Sequence, residues 1–334
     1  MCARRALVRL GVVWAPLLLL LSVSLLPAQV ARAHGVIGQR FFPATLAIDD
    51  PFVADELSLP TVQTLKRQST DEDPRTRETE FEAEISKRLS PNFGLSISGS
   101  LVVLDPTRGT TQTGFDNLEV GAKYVFWKSA PHELLLSAGL DADVGGTGMK
   151  KVDAESFSTL TPALFFGRGF GDLPTSLRFL KPFALTGQLG LSIPTEESTT
   201  TRTDGEVERS LNPRVLNWGL TVQYNLQYLQ SYVKDVGLPA PFNRMIPIVE
   251  IPIETTVQGP THTTGSINPG VIWFGRYIQL GLEAVVPVKG NTFDEGRQRG
   301  VGVLGQIHFY LDDIWPEVFT WTPFHGVLGP TQPR

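Results

Sequence analysis

Glu80, Glu82 and Glu84 recur at every second position of one segment, a spacing that sends three carboxylates to the same side of an extended strand. On the wall of a water-filled pore, carboxylates gathered this way attract cations and repel anions. The same parity in the other alternating segments adds Glu119, Asp141, Asp143, Glu250, Glu254 and Glu283 to that face, with Arg88 and Lys123 as countercharges. These eleven residues are the expected lining of a lumen and the candidate determinants of its selectivity. A second reading stays open at this level: the charges pair across a narrow interior that its own side chains partly fill.

Catalytic chemistry has weaker support. Nucleophilic catalysis needs a base within hydrogen-bond reach of the nucleophile. The histidines are His34, His132, His262, His308 and His325. His308 is expected to face inward with Gln306, and His262 lies between Thr261 and Thr263 in a polar loop. Neither has a serine and an acid beside it in sequence, although neighbouring strands could supply both, so no catalytic residue is assigned. The run Gly145-Gly146-Thr147-Gly148 lacks the lysine and following helix of a phosphate-cradling loop and reads as a flexible connection. His34, as a new amino terminus, would offer copper an amine and an imidazole, but the next histidine is His132. No metal and no other cofactor is expected.

Strands must hold the acidic face. Phe81, Ala83 and Ile85 alternate with the three glutamates; Leu118, Val120, Ala122, Tyr124 and Phe126 alternate with Asn117, Glu119, Gly121 and Lys123. Leu134, Leu136, Ala138, Leu140, Ala142 and Val144 oppose Ser137, Gly139, Asp141 and Asp143, and the pattern returns at 216–226 and 277–286. This is the period of half-buried strands, and the runs have the length that tilted membrane strands need. Aromatics near strand ends (Phe126, Trp127, Trp218, Tyr224, Trp273, Tyr277, Phe309, Tyr310) suit interfacial girdles, and glycines and acids on the polar face suit a watery lumen.

Long polar loops at 69–77, 105–116, 145–156, 194–212, 257–266 and 289–299 nearly alternate with shorter links. Strands are expected near 57–66, 79–89, 93–104, 117–127, 133–144, 157–167, 178–193, 213–228, 245–256, 267–274, 277–288 and 300–311. Placing every long loop outside the cell requires the first of these, so the fold class is all-β, a transmembrane antiparallel up-and-down β-barrel of twelve strands, with ten or fourteen as alternatives. Connections 168–177 and 229–244 are long for the periplasmic side. Pro162, Pro247, Pro252, Pro269 and Pro287 each remove a ladder donor and are expected at bulges or at the ends of the membrane zone.

Residues 1–33 read as a cleaved secretory signal peptide: Arg4, Arg5 and Arg9, an apolar run from Leu10 to Leu26, then Ala31-Arg32-Ala33. Its removal takes away the only cysteine, Cys2, and leaves 25 basic against 34 acidic side chains, a formal charge of −9 instead of −5. That excludes disulfides and thiolate metal sites and argues against nucleic acid as a partner. Residues 34–56, without a strand period, form either a periplasmic lead-in or a plug in the lumen; 57–311 form the barrel; 312–334 form an aromatic-rich periplasmic tail.

In its strand-loop rhythm, in glycine-bearing strands such as Leu118-Glu119-Val120-Gly121-Ala122-Lys123-Tyr124 and in the closing strand Gly300–Tyr310, the chain resembles the bacterial outer-membrane barrel transporters associated with the meta-cleavage pathway of phenol degradation. The resemblance covers about 57–311, implies passive transport and carries no functional residues with it. The expected function is a passive channel or transporter for small solutes in the outer membrane of a Gram-negative bacterium, through an acidic lumen. The alternatives are a lipid-hydrolysing barrel and a non-transporting scaffold or binding barrel of the envelope. Expected partners are outer-membrane lipid, the barrel-assembly machinery and a small-molecule solute.

Overall fold

The computed structural model describes residues 35–67, 74–203, 206–259, 261–288 and 300–319. The leader and its cleavage site, His34, loop 289–299, most of the polar run 69–77, and Trp321 and Phe324 of the tail lie outside the described residues.

Twelve strands make the wall: β1 Glu56–Arg67, β2 Thr76–Ser90, β3 Phe93–Pro106, β4 Leu118–Ser129, β5 Leu134–Val144, β6 Thr159–Gly169, β7 Phe183–Pro194, β8 Val215–Tyr224, β9 Met245–Thr256, β10 Thr263–Phe274, β11 Ile278–Pro287 and β12 Gly302–Tyr310. Each pairs antiparallel with its sequence neighbours, and β12 pairs with β1, with Phe309 opposite Leu57 and Val303 opposite Thr64, so the sheet closes. Closure leaves no strand edge, which any sheet spanning hydrocarbon requires. The outward side chains are apolar and accessible, Leu164 to 55 % and Leu282 to 57 %, while Thr221 and Gln279 on the inner face are at 0 %. Exposing leucine-sized side chains to water costs about 1.5–3 kcal/mol each relative to burial. A continuous wall of them belongs in a bilayer, and a closed barrel of even strand number places the chain in the Gram-negative outer membrane. A register shift between Val125 and Trp127 turns Phe126 and Trp127 outward together while Val125 stays buried inside.

Pro287 ends β11 and Pro247 lies near the start of β9, but Pro162, Pro252 and Pro269 act differently from expectation. Between β9 and β10 the pairing skips Ile251 and Pro252 but resumes in the same register, Glu250 opposite Asn268 and Ile253 opposite Gly265. Pro269 interrupts β10 against β11 in the same way, and Pro162 interrupts β6 against β7. Each removes ladder bonds without shifting the strand. The actual shift in β1 lies between Ser58 and Thr61, around Pro60.

Some boundaries move for local reasons. β7 begins at Phe183 rather than near 178, because Thr175–Leu180 coil into a 3-10 turn and Pro182 has no N–H for a ladder. β8 stops at Tyr224 because the Asn225 side chain accepts the N–H of Tyr228 at 2.9 Å and caps a short helical turn. Loop 194–212 folds into its own hairpin, Ser198–Thr203 against Glu206–Leu211, and Gln112–Phe115 fold back onto β3. Both chain ends of the barrel, Glu56 and Tyr310, lie at one rim, the terminal rim; the long loops lie at the other, the loop rim.

Candidate functional site

Parity places the glutamates of β2 on the inner wall, and register extends the patch sideways. Glu84 lies opposite Ser98, which is opposite Glu119, which is opposite Asp143. Glu82, Glu84, Glu119, Asp141 and Glu254 line one cavity of about 800 Å³ together with Asp49, and Glu80, Glu82 and Glu254 line an adjoining one of about 470 Å³. Gly121 makes room for this patch, since a Cβ there would sit 2.6 Å from the Asp141 carboxylate.

The other predicted residues are engaged differently. Asp143 accepts a hydrogen bond from the Asn117 amide at 3.1 Å. Arg88 does not face the acidic patch: its guanidinium lies 3.4 Å from both Asp55 and Asp312 at the terminal rim. Lys123 reaches the Asp49 carboxylate at 2.8 Å and donates to the Asp50 carbonyl at 2.7 Å. Glu250 accepts three successive backbone N–H groups, from Leu46 at 2.9 Å, Ala47 at 2.6 Å and Ile48 at 2.9 Å. Glu283 is buried on β11, opposite Gly270.

Asp49, Asp50 and Leu46–Ile48 all belong to the segment before β1, whose contacts run around the inner wall. Gln279 of β11 donates to the Ala44 carbonyl at 2.7 Å, the Asp49 N–H donates to Gln188 of β7 at 3.1 Å, and Ser137 of β5 donates to the Pro51 carbonyl. Strand glycines form seats for it. A Cβ at Gly281 would meet Leu46 at 2.6 Å, one at Gly219 would meet Ile48 at 2.7 Å, and one at Gly94 would meet Val53 at 2.7 Å. Gly219 and Gly281, on the polar face of their strands, were expected to face water; they face the segment. Ile246, Ile248 and Ile272 point inward and pack with Phe41 and Leu46, an apolar inner surface that the polar-lumen reading missed. Inward-facing isoleucine at 246 and 248, in step with Glu250, was the signal available in the sequence.

The start of the segment is pinned at the terminal rim. Val36–Ile37 pair with Arg40–Phe41 around Gly38, whose φ of +62° favours glycine. The Arg40 guanidinium, fully buried, donates to Glu133 at 3.2 Å and to the Pro182 carbonyl at 2.9 Å, bonds the Lys181 carbonyl, and lies 3.8 Å from the centre of the Tyr228 ring. Burial lowers the Arg40 pKa from its ordinary value, with Glu133 opposing, and burial beside Glu133 pushes the Tyr228 hydroxyl up to about 12.

Closure of the barrel also creates a trio invisible in sequence. Ser58 Oγ lies 2.9 Å from His308 Nδ1, and His308 Nε2 lies 3.4 Å from Glu56. They border a cavity of about 80 Å³ under residues 44–54, and Ser58 and His308 are buried. His262 instead is tied through its backbone to Thr256. At Gly145–Gly148 the chain packs on Asn117 and Phe157 and leads into a single 3-10 turn.

No family model matches the chain, and no curated protein sequence does. Among solved structures, an outer membrane channel from Pseudomonas putida F1 superposes with a TM-score of 0.56 at 9 % identity, covering 77 % of this chain and 96 % of that one. The likeness is one of fold. The KdgM porin (TM-score 0.41, 10 % identity, 75 % of this chain, 98 % of that one) and the outer membrane phospholipase of Salmonella typhi (0.36, 11 %, 80 % and 93 %) are more distant.

Proposed function

We propose that this barrel is a passive outer-membrane channel for small solutes, with an acidic vestibule open toward the loop rim and residues 35–55 seated as a plug across the lumen beneath it. The observation that carries the reading is the meeting of the two: the acidic cavity ends on Asp49, and the same stretch of chain is held by Glu250. Glu80, Glu82, Glu84, Glu119, Asp141 and Glu254 are the selectivity residues in this proposal, and a ring of one sign favours cations. Lys123 and Glu250 are assigned to seating the plug, and Arg88 to fixing its end through Asp55. The test is reversal potential in a salt gradient across planar bilayers: cation preference is expected, and anion preference would overturn the assignment.

The trio Ser58, His308 and Glu56 favours a second reading, hydrolysis. Ser58 and His308 are buried, and the cavity they border is lined from above by residues 44–54, so the hydroxyl lies beneath the seated segment. The trio is therefore read as part of the wall. A fluorophosphonate probe is expected to leave Ser58 unlabelled; labelling lost in Ser58→Ala would restore the enzymatic reading.

A further inference from the structure

Two turns at the terminal rim, 170–182 between β6 and β7 and 225–244 between β8 and β9, are long for that side and carry large apolar side chains that stay exposed among the described residues. Leu177, Phe179 and Leu180 on the first, and Tyr232, Val236 and Phe242 on the second, are all exposed. Six such side chains within two turns would be a liability in water. The outer wall indicates what covers them. Tyr224, an outward residue at the end of β8, donates its hydroxyl to the Phe179 carbonyl at 3.4 Å and packs edge-on against Phe183 at 4.6 Å. Higher on the same strands stand Leu189 and Trp218, paired across β7 and β8 and facing lipid. The first turn thus continues the lipid-facing column downward past the last ladder pair.

Charge accompanies the apolar residues. Arg178 lies over the Phe179 ring at 5.0 Å, and Lys181, Lys234 and Arg244 belong to the same turns, against Asp172 and Asp235. Asp172 is itself neutralised locally: a hydrogen bond from His132 at 2.9 Å, joined by Arg168 at 2.8 Å, holds its carboxyl below the usual range. On a chain of net negative charge, these turns are locally basic. Apolar side chains beside lysine and arginine are what bind the boundary between acyl chains and headgroups.

We infer that the turns 170–182 and 225–244 form an interfacial collar that lies in the phospholipid leaflet at the terminal rim, its apolar side chains among the acyl chains and its basic residues on lipid phosphates. The collar holds the rim at a fixed depth. It also holds Tyr228 and the carbonyls of Lys181 and Pro182 where Arg40 grips them, so lipid contact and plug anchorage share two turns.

Single cysteines carrying a fluorophore, placed at Phe179, Val236, Leu282 and Thr200 in a chain with Cys2 replaced by serine, test this in proteoliposomes containing brominated phospholipid. Leu282 reports the wall and Thr200 the loop-rim hairpin. Labels at 179 and 236 should be quenched several-fold more than at 200 and about as strongly as at 282. Quenching at 282 with none at 179 or 236 would overturn the collar while leaving the barrel intact. In vesicles with and without phosphatidylglycerol, Arg178→Gln with Lys234→Gln should abolish any gain in quenching that the anionic lipid gives. An unchanged gain in that pair would overturn the phosphate contact.

Discussion

Glu250 on β9 binds Ile48 in the segment before β1: its carboxylate accepts the Ile48 N–H at 2.9 Å, with the N–H groups of Leu46 and Ala47 on the same side chain. Three consecutive N–H groups converging on one anion form a nest, so a single buried side chain fixes a turn of otherwise irregular chain to the wall. Bonds to a charged acceptor contribute about 1.5–3 kcal/mol each. Glu250→Ala should therefore unseat residues 46–48 and raise conductance while the barrel still folds. Thiol labelling of a cysteine at Ala47 checks it: labelling should be slow with Glu250 present and fast without it.

Gly281 and Leu46 give an independent check on seating. A Cβ at 281 would lie 3.0 Å from Leu46 Cγ, so sulfurs placed at both positions reach bonding distance. Leu46→Cys with Gly281→Cys should oxidise nearly completely in the folded barrel, read as a mobility shift reversed by reductant. Gly281→Arg, by contrast, should expel the segment, because the arginine takes the space of Leu46.

The two faces of the wall should respond oppositely to charge. Leu282→Arg and Leu164→Arg put a cation toward hydrocarbon at a cost of about 2–4 kcal/mol near the midplane, and assembly into a heat-modifiable band should fall sharply. Ser98→Arg, on the inner face between Glu84 and Glu119, should assemble nearly as wild type.

Glu82→Gln combined with Glu84→Gln should lower cation preference without unfolding, since lumen changes tune selectivity. The difference from wild type should shrink toward 1 M salt, where the screening length falls to about 3 Å. A difference independent of salt would point to a change of shape rather than of charge.

Strand parity was legible because lipid outside and polar groups inside impose a period of two: Phe81 against Glu82 and Leu280 against Gln279 read correctly from sequence alone. Closure followed from counting long loops. Residues 35–55 were not legible beyond two alternatives, because their shape is set by the wall and not by their own period. The acceptors that hold them offer no side-chain signature either, since Glu250 meets backbone N–H groups. Gly219 and Gly281 looked like watery positions, yet they are seats for Ile48 and Leu46. Ser58 and His308 meet only through the β12–β1 register, which no local pattern encodes. Arg88 has the parity of the acidic patch, but at the end of β2 the nearest charges are Asp55 and Asp312.

Whether residues 35–55 close the lumen is decided by the conductance of a chain lacking 36–52, compared with the full chain in the same planar bilayers. Residues 53–56 are kept so that Asp55 still meets Lys87 and Arg88, and retention of the heat-modifiable band shows that the barrel has formed. With residues 35–55 as the plug, the shortened chain should show a several-fold larger, cation-preferring conductance. An equal conductance in the two chains, or none in either, would contradict the plug.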